Sequence, residues 1–285
     1  MAVDNTRYNV PFRAPALPYP PKVYDAQSFE EFNKVLRIYF NQLDNALRNA
    51  MAVQEPYELQ VARGNVPGAL VNNVFGFNAA VGTTFIAPWE LAASTQYVFP
   101  SSAVVMALVS SSASDTAVQV LVNGLDADYV AISETITLNG TVAVNTTKSY
   151  LRINSMVTVG TTNAVGNISL TNGGVTYGYI AIGVGRTQMA QYTVPAGSSF
   201  YLERINAWSA TSTGASKYLE FRNRVQTSTG VIYDVAQATF SNTPLEIYRD
   251  YPFKYSEKTS IQFQVLSSSG TNEVAIAVEG VLIDN

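Results

Sequence analysis

The chain has 285 residues with no histidine and no cysteine; 47% are hydrophobic, only 13% are charged, and the formal net charge is −4 at pH 7. That length and apolar content suffice for a sizeable core in one large or two ordinary domains, while the missing imidazoles and thiols exclude disulfides, Cys/His metal centres, Ser-His-Asp triads and cysteine nucleophiles. The acidic balance offers no basic footprint to a phosphate backbone, so nucleic acid is not an expected partner, and with charges at about half the roughly 25% usual for soluble domains the surface must be largely Ser, Thr, Asn, Gly and Tyr.

Residues 1–24 carry Pro11, Pro15, Pro18, Pro20 and Pro21, with Tyr8, Phe12, Tyr19 and Tyr24 between them. Proline fixes φ and pushes its predecessor to extended backbone, so this stretch cannot bury a core of its own. We expect a docking arm whose contacts are Tyr8, Phe12, Pro18, Tyr19 and Tyr24. The first residues show no basic n-region followed by an apolar h-region, which predicts a protein made and used without Sec export. No apolar run approaches the roughly 20 residues that span a bilayer, so no membrane span is expected.

A helix is expected from about residue 28 to about residue 51. Ser28 followed by Glu31 reads as a capping box, and Glu30 and Glu31 suit the positive end of the helix dipole. Phe29, Leu36 and Leu43 recur every seven residues, as do Phe32, Tyr39 and Ala46, which makes an a/d seam that Phe40 and Leu47 widen. A helix packed on its own domain shows the same stripe; the extended leader before it and the Gly/Pro-containing stretch Arg63-Gly64-Asn65-Val66-Pro67-Gly68 after it favour self-association or docking. The organisation read from this is an arm and helix over 1–50, a linker over 51–68, and a head over 69–285, with any split near 160–190.

From residue 69 the pattern becomes period two, or short and continuously apolar, with strand candidates at 104–110, 117–122, 129–138, 150–159, 167–170, 177–182, 190–194, 199–210, 218–225, 231–240, 245–248, 260–266 and 273–283. Asn123-Gly124, Asn139-Gly140, Asn172-Gly173-Gly174, Pro195-Ala196-Gly197 and Ser269-Gly270 supply turn chemistry between them. With no helical pattern intervening, the fold class is mostly β: an extended arm and one α-helix, then a β-sandwich or jelly-roll-like head in one or two lobes.

Chemistry open to this composition is that of carboxylates, of which glycoside hydrolysis by paired Asp/Glu is the natural case. The densest acidic stretch, Asp126-Ala127-Asp128-Tyr129 followed by Glu134, has D-x-D spacing but lacks the glycine and distal glutamate of a calcium loop, and reads as a tight turn. Gly183-Val184-Gly185-Arg186 is too short for a phosphate fingerprint and opens no helix. The run Glu246 to Tyr255 could present Tyr248, Tyr251 and Tyr255 to a sugar, although its composition also suits a strand packed at a sheet edge. No catalytic residue, cofactor or metal is therefore expected, and the chain reads as a non-enzyme.

The leader Pro18-Tyr19-Pro20-Pro21-Lys22-Val23-Tyr24-Asp25 and the helix segment Leu36-Arg37-Ile38-Tyr39-Phe40-Asn41-Gln42-Leu43-Asp44-Asn45 resemble the N-terminal part of virion structural proteins of tailed phages infecting marine bacteria. The blocks Val122 to Tyr129 and Ile132 to Gly140 look like the β-region of the same group, and together these strings cover about a fifth of the chain. The resemblance implies a virion-located, fibre-like or capsid-decorating homo-oligomer, a trimer by the width of its seam, held to capsid or tail proteins by its N-terminus. A tail fibre reading host-surface glycans is the alternative, and a carboxylate-based depolymerase tailspike the third.

Overall fold

The computed structural model describes residues 23, 25–52, 56–91, 95–210, 218–241 and 243–285, and the side chains of 46–52 lie outside that description. The expected arm contacts Tyr8, Phe12, Pro18, Tyr19 and Tyr24, and the side chain of Leu47, therefore fall outside the described residues. The chain divides into two compact units, residues 1–65 and 66–285.

In the first unit, helix α1 runs over Ala26–Ala52. It starts two residues earlier than the Ser28 capping box predicts, because Asp25 is the cap: its carboxylate accepts from the Gln27 amide (3.2 Å), the Ser28 amide (3.3 Å) and the Ser28 hydroxyl (2.9 Å). Those bonds, the hydroxyl first, hold the Asp25 carboxyl below its ordinary pKa, and Glu30 and Glu31 fall beyond the first turn. The stretch read as linker contains a second helix, α2 (Tyr57–Ala62), preceded by Pro56. It ends on Gly64 at φ +69, with Gly64 N donating to Val61 O and Asn65 N to Gln60 O. That is a Schellman stop, which needs a residue tolerant of the left-handed region.

The second unit holds fifteen strands among the described residues: β1 (Ala69–Val81), β2 (Val104–Ser110), β3 (Gln119–Leu125), β4 (Ala131–Thr137), β5 (Val144–Tyr150), β6 (Arg152–Val159), β7 (Ile168–Asn172), β8 (Val175–Ile180), β9 (Gln191–Thr193), β10 (Ser198–Ser209), β11 (Leu219–Gln226), β12 (Ile232–Phe240), β13 (Leu245–Tyr255), β14 (Ser260–Ser267) and β15 (Asn272–Asp284). Two four-stranded antiparallel sheets, β1-β15-β10-β13 and β12-β11-β14-β9, enclose one core. Counted along the chain without β2 to β8, these eight strands fall in the orders 1-8-3-6 and 5-4-7-2. This is the double Greek key of a jelly roll. Strand β11 shows why it closes: Leu219, Phe221, Asn223 and Val225 point into the core while Glu220, Arg222, Arg224 and Gln226 face outward, and inward Asn223 donates to the buried Tyr255 hydroxyl.

Strands β2 to β8 form a second sandwich, from sheets β5-β2-β7-β8 and β4-β3-β6 around a separate core that includes Met106, Val120, Tyr150, Met156 and Leu170. It is an insertion between the first two strands of the jelly roll. The chain leaves the first core at Ile86 and joins the second at Trp89, then returns through Met189 to Ala190. Trp89 and Met189 pair as an antiparallel bridge, and Ala190 N donates to Pro88 O at 2.9 Å.

Two placements depend on single residues. In β10 the bulge at Glu203 brings Leu202 opposite Gly280 of β15, and a Cβ on Gly280 would lie 2.3 Å from Tyr201 O and 2.7 Å from the Phe200 ring. Gly280→Ala should therefore lower stability by about 3 kcal/mol, read as a lower urea midpoint at unchanged m. In the inserted sandwich, buried Asp115 accepts from the Ser110 hydroxyl (2.5 Å), Val165 N (2.9 Å) and Gly166 N (3.0 Å), tying two loops together. Burial alone would raise its pKa, but these donors outweigh it and the carboxyl is held below its ordinary value. The stabilisation is full above the unfolded-chain pKa and is lost as pH falls through the folded one. Urea titrations at about pH 6 and about pH 3 should show Asp115→Asn less stable at the higher pH and less affected by acid than the parent.

Candidate functional site

Three places compete for function: the α1 seam, the tyrosines of β13, and a cleft between the two sandwiches. Along α1, Phe29 and Phe40 are more than half exposed, Phe32, Leu36, Tyr39 and Leu43 are half-buried, and the Tyr39 and Phe40 rings meet edge to face at 5.5 Å. Within residues 1–65 the only buried residue among those described is Val61 of α2. The seam side chains thus lie on one helix at the spacing the heptads predict, with large apolar area still facing outward.

The three tyrosines do not form one platform. Tyr248 pairs opposite Arg204, whose guanidinium lies 5.6 Å from its ring, and it is largely exposed. Tyr251 sits in an outward bulge, residues 249–252 standing opposite Glu203 alone, and is 89% exposed. Tyr255 is buried in the jelly-roll core, stacked on Phe200 at 6.1 Å and bonded to Asn223. Burial drives its phenol pKa upward. Tyr248 and Tyr255 stand seven residues apart, so strand alternation alone sends them to opposite faces; the bulge turns Tyr251 outward against the inward parity it shares with Tyr255. Asp126, the D-x-D candidate, accepts from the amides of Asp128 and Val130 at 2.9 Å each and so holds its own hairpin turn.

That turn has a second effect. It places Tyr129 at φ +67, an uncommon region for a bulky residue, and brings its ring to 5.5 Å from the Arg152 guanidinium. Arg152, at the start of β6, is buried, with Phe99 on it at 4.6 Å. All its hydrogen-bond partners are neutral: Ser260 Oγ (3.1 Å) takes Nε, Pro100 O (3.1 Å) and Leu151 O (2.8 Å) take one terminal nitrogen, and Tyr129 Oη (3.4 Å) takes the other. Desolvation pulls its pKa down, opposed by Tyr129 and Tyr97. A charge buried without a counterion is costly, and sequence reasoning missed it because nothing local marks Leu151-Arg152-Ile153 as other than strand.

Arg152 lies at the floor of a cleft of about 560 Å³ between the sandwiches. One wall is the outer face of β11 and β14, where the pairs Arg224 to Gln262 and Gln226 to Ser260 run across the sheet. The other is the 96–101 segment of the inserted sandwich with Tyr129. Strand β14 is buried on both faces at its start, Ile261 and Phe263 toward the core and Ser260, Gln262 and Gln264 toward the insertion. Arg224 is paired with Asp234 at 2.9 Å. The sandwiches are also tied by reciprocal 2.9 Å bonds between Asn154 and the Thr193 backbone, and by Ala196 N to Tyr129 O at 2.8 Å.

Among the described residues no helix is long and apolar enough to cross a membrane. The sequence matches no protein family model and no curated protein. Among solved structures, one of infectious bursal disease virus, Gt strain, aligns over 81% of this chain and 78% of its own at 11% identity and a TM-score of 0.21. A mutant VP2 protein of the same virus, in derived T=1 particles, aligns over 81% and 79% at 8% identity and a TM-score of 0.18. Scores this low are no evidence of a shared fold.

Proposed function

We propose that the chain is a non-enzymatic structural protein of a virus particle, a capsid-decorating or fibre-like component of the tailed-phage kind that its leader resembles, acting as a homotrimer. The observation that carries this reading is the jelly-roll connectivity of β1 and β9 to β15, with a whole second sandwich inserted after the first strand. Jelly rolls build viral capsid and lectin domains, and an insertion with both ends at one point adds a second body without disturbing the first. In this reading α1 provides self-association through Phe29, Phe32, Leu36, Tyr39, Phe40, Leu43 and Leu47, and the arm docks to capsid or tail proteins. The non-enzymatic part is supported by the occupation of the acids: Asp115, Asp126 and Glu134 accept from backbone amides, and Asp234 from Arg224. The second reading, recognition of host-surface glycans, is favoured at Tyr251 by its exposure on the β13 bulge.

The test is the native mass of the full chain beside the Leu36→Asp, Leu43→Asp double variant. Charges placed in a buried seam cannot be solvated, so the parent should be trimeric and the variant monomeric, with the same strand signal by circular dichroism. A monomeric parent, or a variant of unchanged mass, overturns self-association through α1.

A further inference from the structure

We propose that the cleft between the two sandwiches binds a carboxylate-bearing saccharide, with the carboxylate on Arg152. The site lies wholly within residues 66–285 and does not depend on assembly through α1.

The first argument is charge. Arg152 has five N–H groups, four of which meet neutral acceptors, so one terminal N–H and the whole positive charge await a partner. The other guanidinium lining the cleft, Arg224, holds Asp234 in a two-point pair, although Arg222 also approaches that carboxylate at 3.9 Å. Arg152 is thus the lining guanidinium with no carboxylate partner, which suits an anion such as a carboxylate. The Tyr129 hydroxyl, beside the same nitrogen, is a second hydrogen-bonding group for that anion.

The second argument is the lining. A volume of about 560 Å³ falls in the range of small-molecule sites and accommodates a sugar ring or two. Gln226, Ser228 and Gln262 line it with amides and a hydroxyl suited to sugar hydroxyls, while Val98 and Ile232 offer exposed apolar surface and Tyr129 a ring face for C–H groups. The left-handed backbone of Tyr129 that aims its ring at Arg152 is an uncommon conformation held by the Asp126 turn.

The test is ligand-observed NMR and calorimetry on the full chain with D-glucuronate and N-acetylneuraminate, against D-glucose, acetate and inorganic phosphate. We expect at least one acidic sugar to bind with a dissociation constant of about 1 mM, with glucose and acetate at least about tenfold weaker, since each lacks one half of the recognition. Tyr129→Asn keeps a residue that tolerates the left-handed region but removes the ring, and Gln226→Leu removes an outward-facing amide of the lining; each should weaken binding about fivefold or more while the strand signal by circular dichroism is retained. Arg152→Gln should abolish binding. If Arg152→Gln does not fold, the other two variants decide: loss of affinity supports the site and unchanged affinity overturns it. Binding of neither acidic sugar up to about 50 mM, equal binding of glucose, or tighter binding of phosphate each overturns the proposal.

Discussion

The close passage of two chain segments at Pro88 and Ala190 is the constraint on which residues 66–285 depend. Gly76 of β1 lies against it: a Cβ there would stand 2.4 Å from both Ala190 Cβ and Ala190 N, and 2.6 Å from Pro88 O. Asn78, buried two residues on, donates to Trp89 O at 2.8 Å, and Trp89 Nε1 donates to Thr95 O at 2.8 Å. The passage is thus built from backbone contacts too tight for a side chain, flanked by polar groups that satisfy the carbonyls a strand-to-strand crossing would leave unpaired. On one side begins the core of Phe200, Phe221 and Phe263; on the other begins that of Met106, Tyr150 and Met156.

The insertion changes what β14 must be. In a free-standing jelly roll its outer face would meet solvent and its Gln residues would be ordinary surface. Here Ser260, Gln262 and Gln264 are covered, and they bond onward: Ser260 to Arg152 and Thr193, Gln264 to Gln262 and to Arg222. Within the sheet these bonds order a polar row, and the bonds that cross between the lobes are Arg152 to Ser260, Asn154 to Thr193 and Ala196 N to Tyr129 O. Such crossing bonds specify one relative placement of the two bodies more sharply than they add stability.

Much of the β architecture is legible in the sequence because inward and outward alternation is a local property; β11 and β10 can be read from their own residues. Two strands are not. Strand β1 carries Asn72, Asn73, Gly76 and Asn78, which look like loop chemistry; Gly76 and Asn78 are there for the passage. Strand β5, Val-Asn-Thr-Thr-Lys-Ser-Tyr, is polar because it is an edge with its outer face in solvent. The double crossing was illegible for a related reason: periodicity reports which face is buried but not which core buries it. Among candidate site residues the seam of α1 was readable from heptads, while Arg152 was not, since its meaning comes from Phe99, Tyr129 and Ser260, all distant along the chain. The inward place of Tyr255 follows from alternation with Tyr248, whereas the exposure of Tyr251 comes from the bulge of β13, an irregularity that belongs to its pairing with β10.

Because the inserted sandwich begins and ends at the same bridge, its two ends are neighbours in space although a hundred residues separate them in the chain. A segment with adjacent ends can be exchanged for another of unrelated sequence by recombination at two nearby sites, leaving the eight strands that host it undisturbed. What such an exchange would have to preserve is the contact set at the joint, Asn154 on Thr193, Arg152 on Ser260 and Tyr129 on Ala196.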